Sequence, residues 1–144
     1  RCNSVTGVQT CALPIFIIAL LNHGDKHHAW AAQTFAQLKA ESPPLIISDI
    51  VYCESSVAMK SVEDMEAAVL SLGLERLSAN ELALFRAGKA FHTYKKDNKG
   101  PKTGVLPDFL IGAMAEALNV PIMTADPKHY TNYFENLEVI EPPK

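Results

Sequence analysis

Short apolar segments alternate with longer helical segments along most of the chain. The segments LIIS, LERL, PIMT and LEVIE are typical of short strands, and helical patterns separate them. Strands joined through helices pair in parallel, because the crossover helix returns the chain to the same end of the sheet. The sequence therefore predicts an α/β fold of three layers, with helices on both faces of a mostly parallel central sheet.

Residues that start helices mark the boundaries of these segments. Ser48 is expected to cap one helix, and Ser61 and Ser78, each followed three residues later by an acid, are expected to cap two more. Another helix is predicted to begin at Leu106-Pro107-Asp108, since proline is tolerated in a first turn. The segment ADPKHYTNYF, which follows the PIMT strand, is predicted to be a loop.

Size and charge limit the possible functions. The chain has 144 residues, of which 48% are hydrophobic and 20% charged, and these values are typical of one globular domain with its own core. Its formal net charge of −3 provides no overall attraction to nucleic acid. A polyanionic partner would therefore have to be held by a local basic patch or through metal ions.

Cysteine spacing and hydropathy indicate an ordinary cytoplasmic protein. Cys2, Cys11 and Cys53 have neither CxxC spacing nor paired histidines nearby, so we expect no zinc site and no disulfide framework. The longest apolar run, Ile15–Leu21, is far shorter than the roughly 18 to 20 residues that span a bilayer. No association with a membrane is expected.

The first 15 residues differ in pattern from the rest of the chain. They show no clear helical or strand periodicity, and Val5–Ile15 resembles the conceptual translation of a common sequencing adapter. We expect residues 1–15 to be a non-native segment and residues 16–144 to form a single domain. The alternative is an unusual but genuine N-terminal segment.

Three acidic residues occupy positions where active sites often form. Glu54 lies on an apolar helix face, Asp108 in the first turn of a helix, and Asp126 just after a strand, two residues beyond Thr124. Clustered carboxylates repel one another unless a cation neutralises them, and hard ions such as Mg²⁺ or Mn²⁺ favour oxygen ligands. Such a cluster suits phosphodiester hydrolysis.

Each acid also has a structural interpretation. Asp108 would stabilise a helix dipole, Asp126 followed by proline would start a turn, and Glu54 would extend to solvent. The spacing of the acids does not decide between these interpretations and a catalytic site.

The segments IISDIVYCESSVAMK, GVLPDFLIGAMAEALNV and PIMTADPKHY resemble successive motifs of PIN-domain proteins, especially the VapC-like toxins. The resemblance extends from Phe16 to the end of the chain. It implies a Mg²⁺- or Mn²⁺-dependent endoribonuclease that acts as the toxin of a toxin–antitoxin pair. It further implies that Glu54, Asp108 and Asp126 are metal-site acids, that Thr124 is a polar site residue, and that RNA, a cognate antitoxin and a second copy of the chain are partners.

One family feature is absent from the chain. The family that this chain resembles has an acid at the end of the first strand. It lies within a D-T/S-x pattern, just before an apolar run like IFIIALLN. By offset this acid would fall at Ala12 or Leu13, within the segment suspected to be foreign. We therefore expect the chain to be catalytically impaired.

A basic stretch precedes Asp108 in the sequence. Lys95, Lys96, Lys99 and Lys102 lie where they could contact RNA phosphates beside the site. Four lysines with an intervening glycine and proline are equally typical of a solvated loop, and the sequence leaves both interpretations open.

Two other function classes compete with the nuclease. The first is a non-catalytic RNA- or antitoxin-binding module, which would describe this chain if its N-terminus is genuine, because one acid is then missing. The second is another α/β enzyme with clustered aspartates, such as a phosphatase or a response-regulator receiver, but the chain lacks a D-x-D signature and both glycine-rich phosphate loops.

Overall fold

Strands and helices alternate along the chain as the sequence predicts. The computed structural model describes residues 10–12, 14–41, 45–98 and 105–143. In chain order the elements are β1 (Cys11–Ala12), α1 (Pro14–Leu21), α2 (His28–Glu41), β2 (Ile46–Ser48), α3 (Asp49–Ser56), α4 (Val62–Leu72), β3 (Glu75–Leu77), α5 (Glu81–Asn98), α6 (Leu106–Leu118), β4 (Ile122–Met123), α7 (Lys128–Tyr133) and β5 (Val139–Ile140).

The strands form one parallel sheet in the order β3-β2-β1-β4-β5. In the central strand, Cys11 pairs with both Ile46 and Ile122, and Ala12 pairs with Met123. The chain moves outward from β1 to β3 on one side and from β4 to β5 on the other, so a crevice is expected at the carboxyl ends of β1 and β4. Receiver domains have the order 2-1-3-4-5, and the receiver alternative is therefore excluded.

Helices cover both faces of this sheet. Right-handed crossovers that run in opposite directions along a sheet place their helices on opposite faces. α1 to α4 therefore lie on one face and α5 to α7 on the other. Contacts agree, because α1 packs against α2 and α3, while α6 packs against α5 and α7. The predicted α/β fold with a parallel sheet is confirmed.

The central strand comes from the segment suspected to be foreign. Ala12 is fully buried in the main apolar cluster, which also contains Ile47 and Met123 on the neighbouring strands. A backbone bond from the N–H of Ile46 to the carbonyl of Thr10 extends the pairing of β1 with β2. The sheet therefore includes residues that precede position 16, and the foreign origin of residues 1–15 stays a prediction.

Two of the three predicted serine caps are confirmed. The hydroxyl groups of Ser48 and Ser61 each accept a backbone N–H from the first turn of the following helix, α3 and α4. The prediction for Ser78 is wrong, because its hydroxyl donates to Asp49 instead. Asn80 Oδ1 accepts the backbone N–H of Ala83 in the first turn of α5, so Asn80 caps this helix in place of Ser78.

The prediction of a loop after β4 is also wrong in part, because this segment contains α7. Pro127 stands immediately before this helix with φ of −83°, a value that suits a helix start. Tyr130 and Phe134 are each 1% exposed and anchor α7 to the core. Burial of these two aromatic side chains favours a helical turn that the polar composition of the segment does not suggest.

A second apolar cluster joins α5, α6 and α7. It contains Tyr94, Phe109 and Phe134, together with two buried alanines of α5. Gly112 allows α6 to approach α7, because a Cβ atom at this position would lie 2.6 Å from the ring of Phe134. Among the described helices, none is both long enough and apolar enough to cross a bilayer.

Candidate functional site

Glu54 and Asp108 come close enough for their charges to interact. Glu54 lies in α3, which begins directly after β2, and Asp108 lies in the first turn of α6. The two helices contact each other although they belong to opposite faces of the sheet. Burial raises the pKa of Glu54, and the negative charge of Asp108 raises it further. Two of the predicted acids therefore share one negatively charged site.

Asp126 lies at the same edge of the sheet but is exposed. Thr124, which directly follows β4, is 1% exposed and donates its backbone N–H to Ile140. Its hydroxyl accepts the backbone N–H of Asp126 at 3.0 Å. Thr124 thus stabilises the backbone at Asp126. This contact is consistent with the structural interpretation of Asp126, in which an acid followed by proline starts a turn.

The three acids do not form a closed ligand cage. Across the described ranges, no group of three or more His, Cys, Asp or Glu side chains is arranged to hold a metal ion. What the structure brings together is the pair of Glu54 and Asp108. Magnesium commonly binds proteins through only one or two carboxylates and retains several waters, so the chemistry of this pair fits such an ion.

The basic stretch is only partly described. Lys95 and Lys96 are exposed near the C-terminal end of α5, where Lys95 Nζ lies 5.6 Å from the centre of the Phe91 ring. The predictions for Lys99 and Lys102 lie outside the described residues. Tyr94 in the same helix is buried against Phe109 of α6, so the lysines belong to the helix that packs against the helix of Asp108.

His129 joins the site although no motif indicated it. Its Nδ1 atom lies 2.8 Å from Oδ2 of Asp108. The two residues are 21 positions apart, and no recognised spacing connects them. Reading Pro127 as a helix start would have placed His129 in a first helical turn, but its contact with α6 depends on the tertiary packing.

The burial of Ala12 bears on where the missing acid would lie. Ala12 is 0% exposed and surrounded by apolar side chains. A carboxylate there would be enclosed in the core, which is unfavourable unless it is paired. Leu13, the other position considered, lies outside the described residues and precedes Pro14, the first residue of α1.

Comparisons with known proteins agree with this architecture. The sequence profile of the PIN domain matches residues 16–135. No curated protein sequence matches the chain significantly. Several solved structures match nearly its whole length.

The VapBC2 complex of Rickettsia felis, bound to a promoter DNA fragment, matches with a TM-score of 0.68 at 18% identity, covering 93% of this chain and 98% of that one. VapBC-1 of nontypeable Haemophilus influenzae matches with a TM-score of 0.68 at 20% identity over the same shares. VapC20 of Mycobacterium tuberculosis, described as a toxin that cleaves the sarcin–ricin loop, matches with a TM-score of 0.60 at 15% identity, covering 86% and 95%.

Proposed function

The chain belongs to the PIN domain family, and from that membership we propose that it is an endoribonuclease that serves as the toxin of a toxin–antitoxin pair. PIN-domain proteins are generally nucleases that depend on a divalent metal ion. Solved structures of similar fold include a toxin that cleaves the sarcin–ricin loop and complexes of VapBC. The proposal for this chain includes Mg²⁺ or Mn²⁺ as its cofactor.

One observation carries the proposal, namely the pairing of Glu54 with Asp108 at the carboxyl edge of the sheet. Two carboxylates placed near each other repel, and their pairing is unfavourable unless a cation or a proton lies between them. The raised pKa of Glu54, caused first by burial and then by Asp108, is the electrostatic sign of that conflict. A hard divalent cation relieves it and brings the charge needed to hold a phosphate.

Each site residue has a role that follows from its surroundings. A bound divalent ion supplies polarisation of the scissile phosphate and a lower pKa for the attacking water. Glu54 and Asp108 would supply its oxygen ligands. Thr124 holds the backbone at Asp126, and Asp126 is proposed to supply a further carboxylate that orients a water. Lys95 and Lys96 are proposed to attract the RNA backbone.

Partner proteins are proposed from the same premise. The similar structures include VapBC complexes and a toxin–antitoxin complex, and this chain is proposed to bind a cognate antitoxin and to form a homodimer. The cytoplasm is the proposed location, because the substrate RNA and the antitoxin would both be there.

Leu13 is proposed as the place of the missing acid. Aspartate is favoured immediately before a helix, where its carboxylate accepts free backbone N–H groups, and Leu13 precedes the first residue of α1. Ala12 is the poorer candidate because the apolar core surrounds it. The chain as it stands is therefore proposed to cleave RNA weakly or not at all.

The test compares RNA cleavage by the chain with cleavage by its Leu13→Asp variant, in Mn²⁺ and in EDTA. Leu13→Asn is the matched control, since it has the same shape without the charge. Cleavage only by Leu13→Asp, only with metal, and abolished by adding Asp108→Asn would support the proposal. Equal, metal-independent cleavage by all variants would contradict it.

A second function is favoured by a separate observation. The chain has an apolar residue, Ala12, at the end of β1, and among its described residues no three acids form a metal site. A non-catalytic module that binds RNA or an antitoxin would have the same features. Tight RNA binding without cleavage, unchanged by Leu13→Asp or EDTA, would support this function instead.

A further inference from the structure

His129 makes a direct contact with the acidic pair without belonging to it. It lies in the first turn of α7, and its Nδ1 atom is 2.8 Å from Oδ2 of Asp108 on α6. Its side chain is only 15% exposed, whereas that of Asp108 is 35% exposed. The contact is therefore largely shielded from water on the histidine side.

Aromatic rings on two other helices hold the imidazole in place. The ring of Tyr94 from α5 meets it nearly edge-on at 5.5 Å between centroids, and the ring of Phe109 from α6 lies 5.9 Å away. Both neighbours are buried, with exposures of 6% and 0%. Since the imidazole has little freedom to rotate, Nδ1 stays directed at Asp108.

The hydrogen bond between His129 and Asp108 occupies one of the two carboxylate oxygens. An ionised carboxylate can only accept, so Nδ1 of His129 carries the hydrogen and donates to Oδ2. Oδ1 of Asp108 has no hydrogen-bond partner within the described ranges. The bond thus fixes the plane of the carboxylate and leaves one oxygen available beside Glu54.

We propose that His129 is a positioning residue that orients Asp108 to bind a divalent cation together with Glu54. The inference rests on the proposed function, because it requires a metal at this pair. Hydrogen bonds to ligating carboxylates and imidazoles hold their orientation, and losing one commonly weakens metal affinity about 10- to 100-fold. No sequence motif assigns this role to His129.

The experiment measures Mn²⁺ affinity by calorimetry without RNA, at one fixed pH, for the chain itself and for its Leu13→Asp variant. In each background, His129→Phe keeps a ring in the aromatic pocket but removes the donor. His129→Asn retains an N–H group close to the position of Nδ1. His92 is exposed on α5, the helix that also contains Tyr94, and His92→Phe controls for the loss of a histidine. Asp108→Asn tests whether the carboxylate of Asp108 is a metal ligand.

The expected result is a 10- to 100-fold weaker affinity for His129→Phe, with His129→Asn closer to the unaltered protein and His92→Phe unchanged. Thermal unfolding of the metal-free proteins should show that His129→Phe remains folded. Affinity lost in Asp108→Asn but unchanged in His129→Phe would overturn the role of His129 alone.

A saturable Mn²⁺ site that Asp108→Asn leaves intact would overturn both the metal pair and this inference. So would the absence of binding in every variant. If both His129 variants lose affinity equally, an N–H group at this position does not restore metal binding, and the positioning role is also overturned.

Discussion

Placing an aspartate at Ala12 should strongly destabilise the protein. Ala12 belongs to the central strand, is 0% exposed, and lies in the apolar cluster beside Ile47 and Met123. A new carboxyl group at this position would be enclosed without a partner among these neighbours. The perturbation therefore tests whether β1 is as deeply buried as the fold implies.

The expected loss can be worked from the burial. An aspartate of ordinary pKa, about 3.9, must be neutralised to remain in such surroundings at pH 7, which costs about 4 kcal/mol for about three pKa units. The added atoms in a filled core cost about 1 to 3 kcal/mol more. A total of about 5 to 7 kcal/mol is comparable with the whole stability of many domains.

Urea denaturation followed by circular dichroism measures this loss, with EDTA present so that no metal pairs the carboxylate. Ala12→Asn is the matched control, because it adds nearly the same volume without a charge. The folded-state pKa of the new acid is raised, so its unfavourable contribution grows as the pH rises above the unfolded value. Between pH 7 and pH 5, the stability difference between Ala12→Asp and Ala12→Asn should shrink by about 3 kcal/mol.

The reasoning is refuted if Ala12→Asp is as stable as Ala12→Asn at pH 7. That result would mean that the carboxylate reaches water, and that position 12 is open to the site. Ala12 would then replace Leu13 as the preferred position for the missing acid.

Four further outcomes follow from individual contacts. Gly112→Ala should lower stability by up to about 2 kcal/mol in urea denaturation, because the clash with Phe134 exceeds the gain of about 1 kcal/mol in helix propensity. Gly88→Ala, where a Cβ meets nothing within 4 Å, should raise it by about 0.5 to 1 kcal/mol. Glu54→Gln should be more stable than the unaltered protein at pH 7, and this advantage should vanish below the ordinary pKa of 4.5, because the raised pKa favours the protonated folded state. Asn80→Ala should cost about 1 kcal/mol, since it removes the side-chain cap of α5.

Each of these outcomes has a contrary result. Equal gains from the two glycine substitutions would show that α6 does not approach α7 closely. A Glu54→Gln variant whose advantage persists at pH 4 would show that charge is not the cause. An Asn80→Ala variant of unchanged stability would show that another group caps α5.

Local chemistry explains the parts of the fold that the sequence predicts well. Ser48 and Ser61 cap helices because a hydroxyl before a helix can accept a free N–H from its first turn, and the signal lies within four residues. α6 was predicted from Pro107 and Asp108 for similar reasons, and its left-handed end at Asn119 also follows from a local preference. These elements place Asp108 without reference to the rest of the chain.

Tertiary packing explains the failures. Apolar character alone does not predict burial in α3, because Ser55 is fully buried whereas Val57, at the end of this helix, is 88% exposed. α7 forms because Tyr130 and Phe134 are buried, and burial depends on which helices lie opposite. The contact of His129 with Asp108 has the same origin, so it could not be derived from spacing.

Fold and chemistry place different demands on the start of this chain. The sheet requires from β1 only backbone groups that pair with β2 and β4 and a small apolar side chain, and Cys11–Ala12 supply both. The proposed chemistry requires one more carboxylate, which no backbone pairing provides. A segment without this carboxylate can therefore complete the sheet. It follows that the stability of the chain should be close to that of its Leu13→Asp variant, while metal affinity and RNA cleavage should differ widely between them.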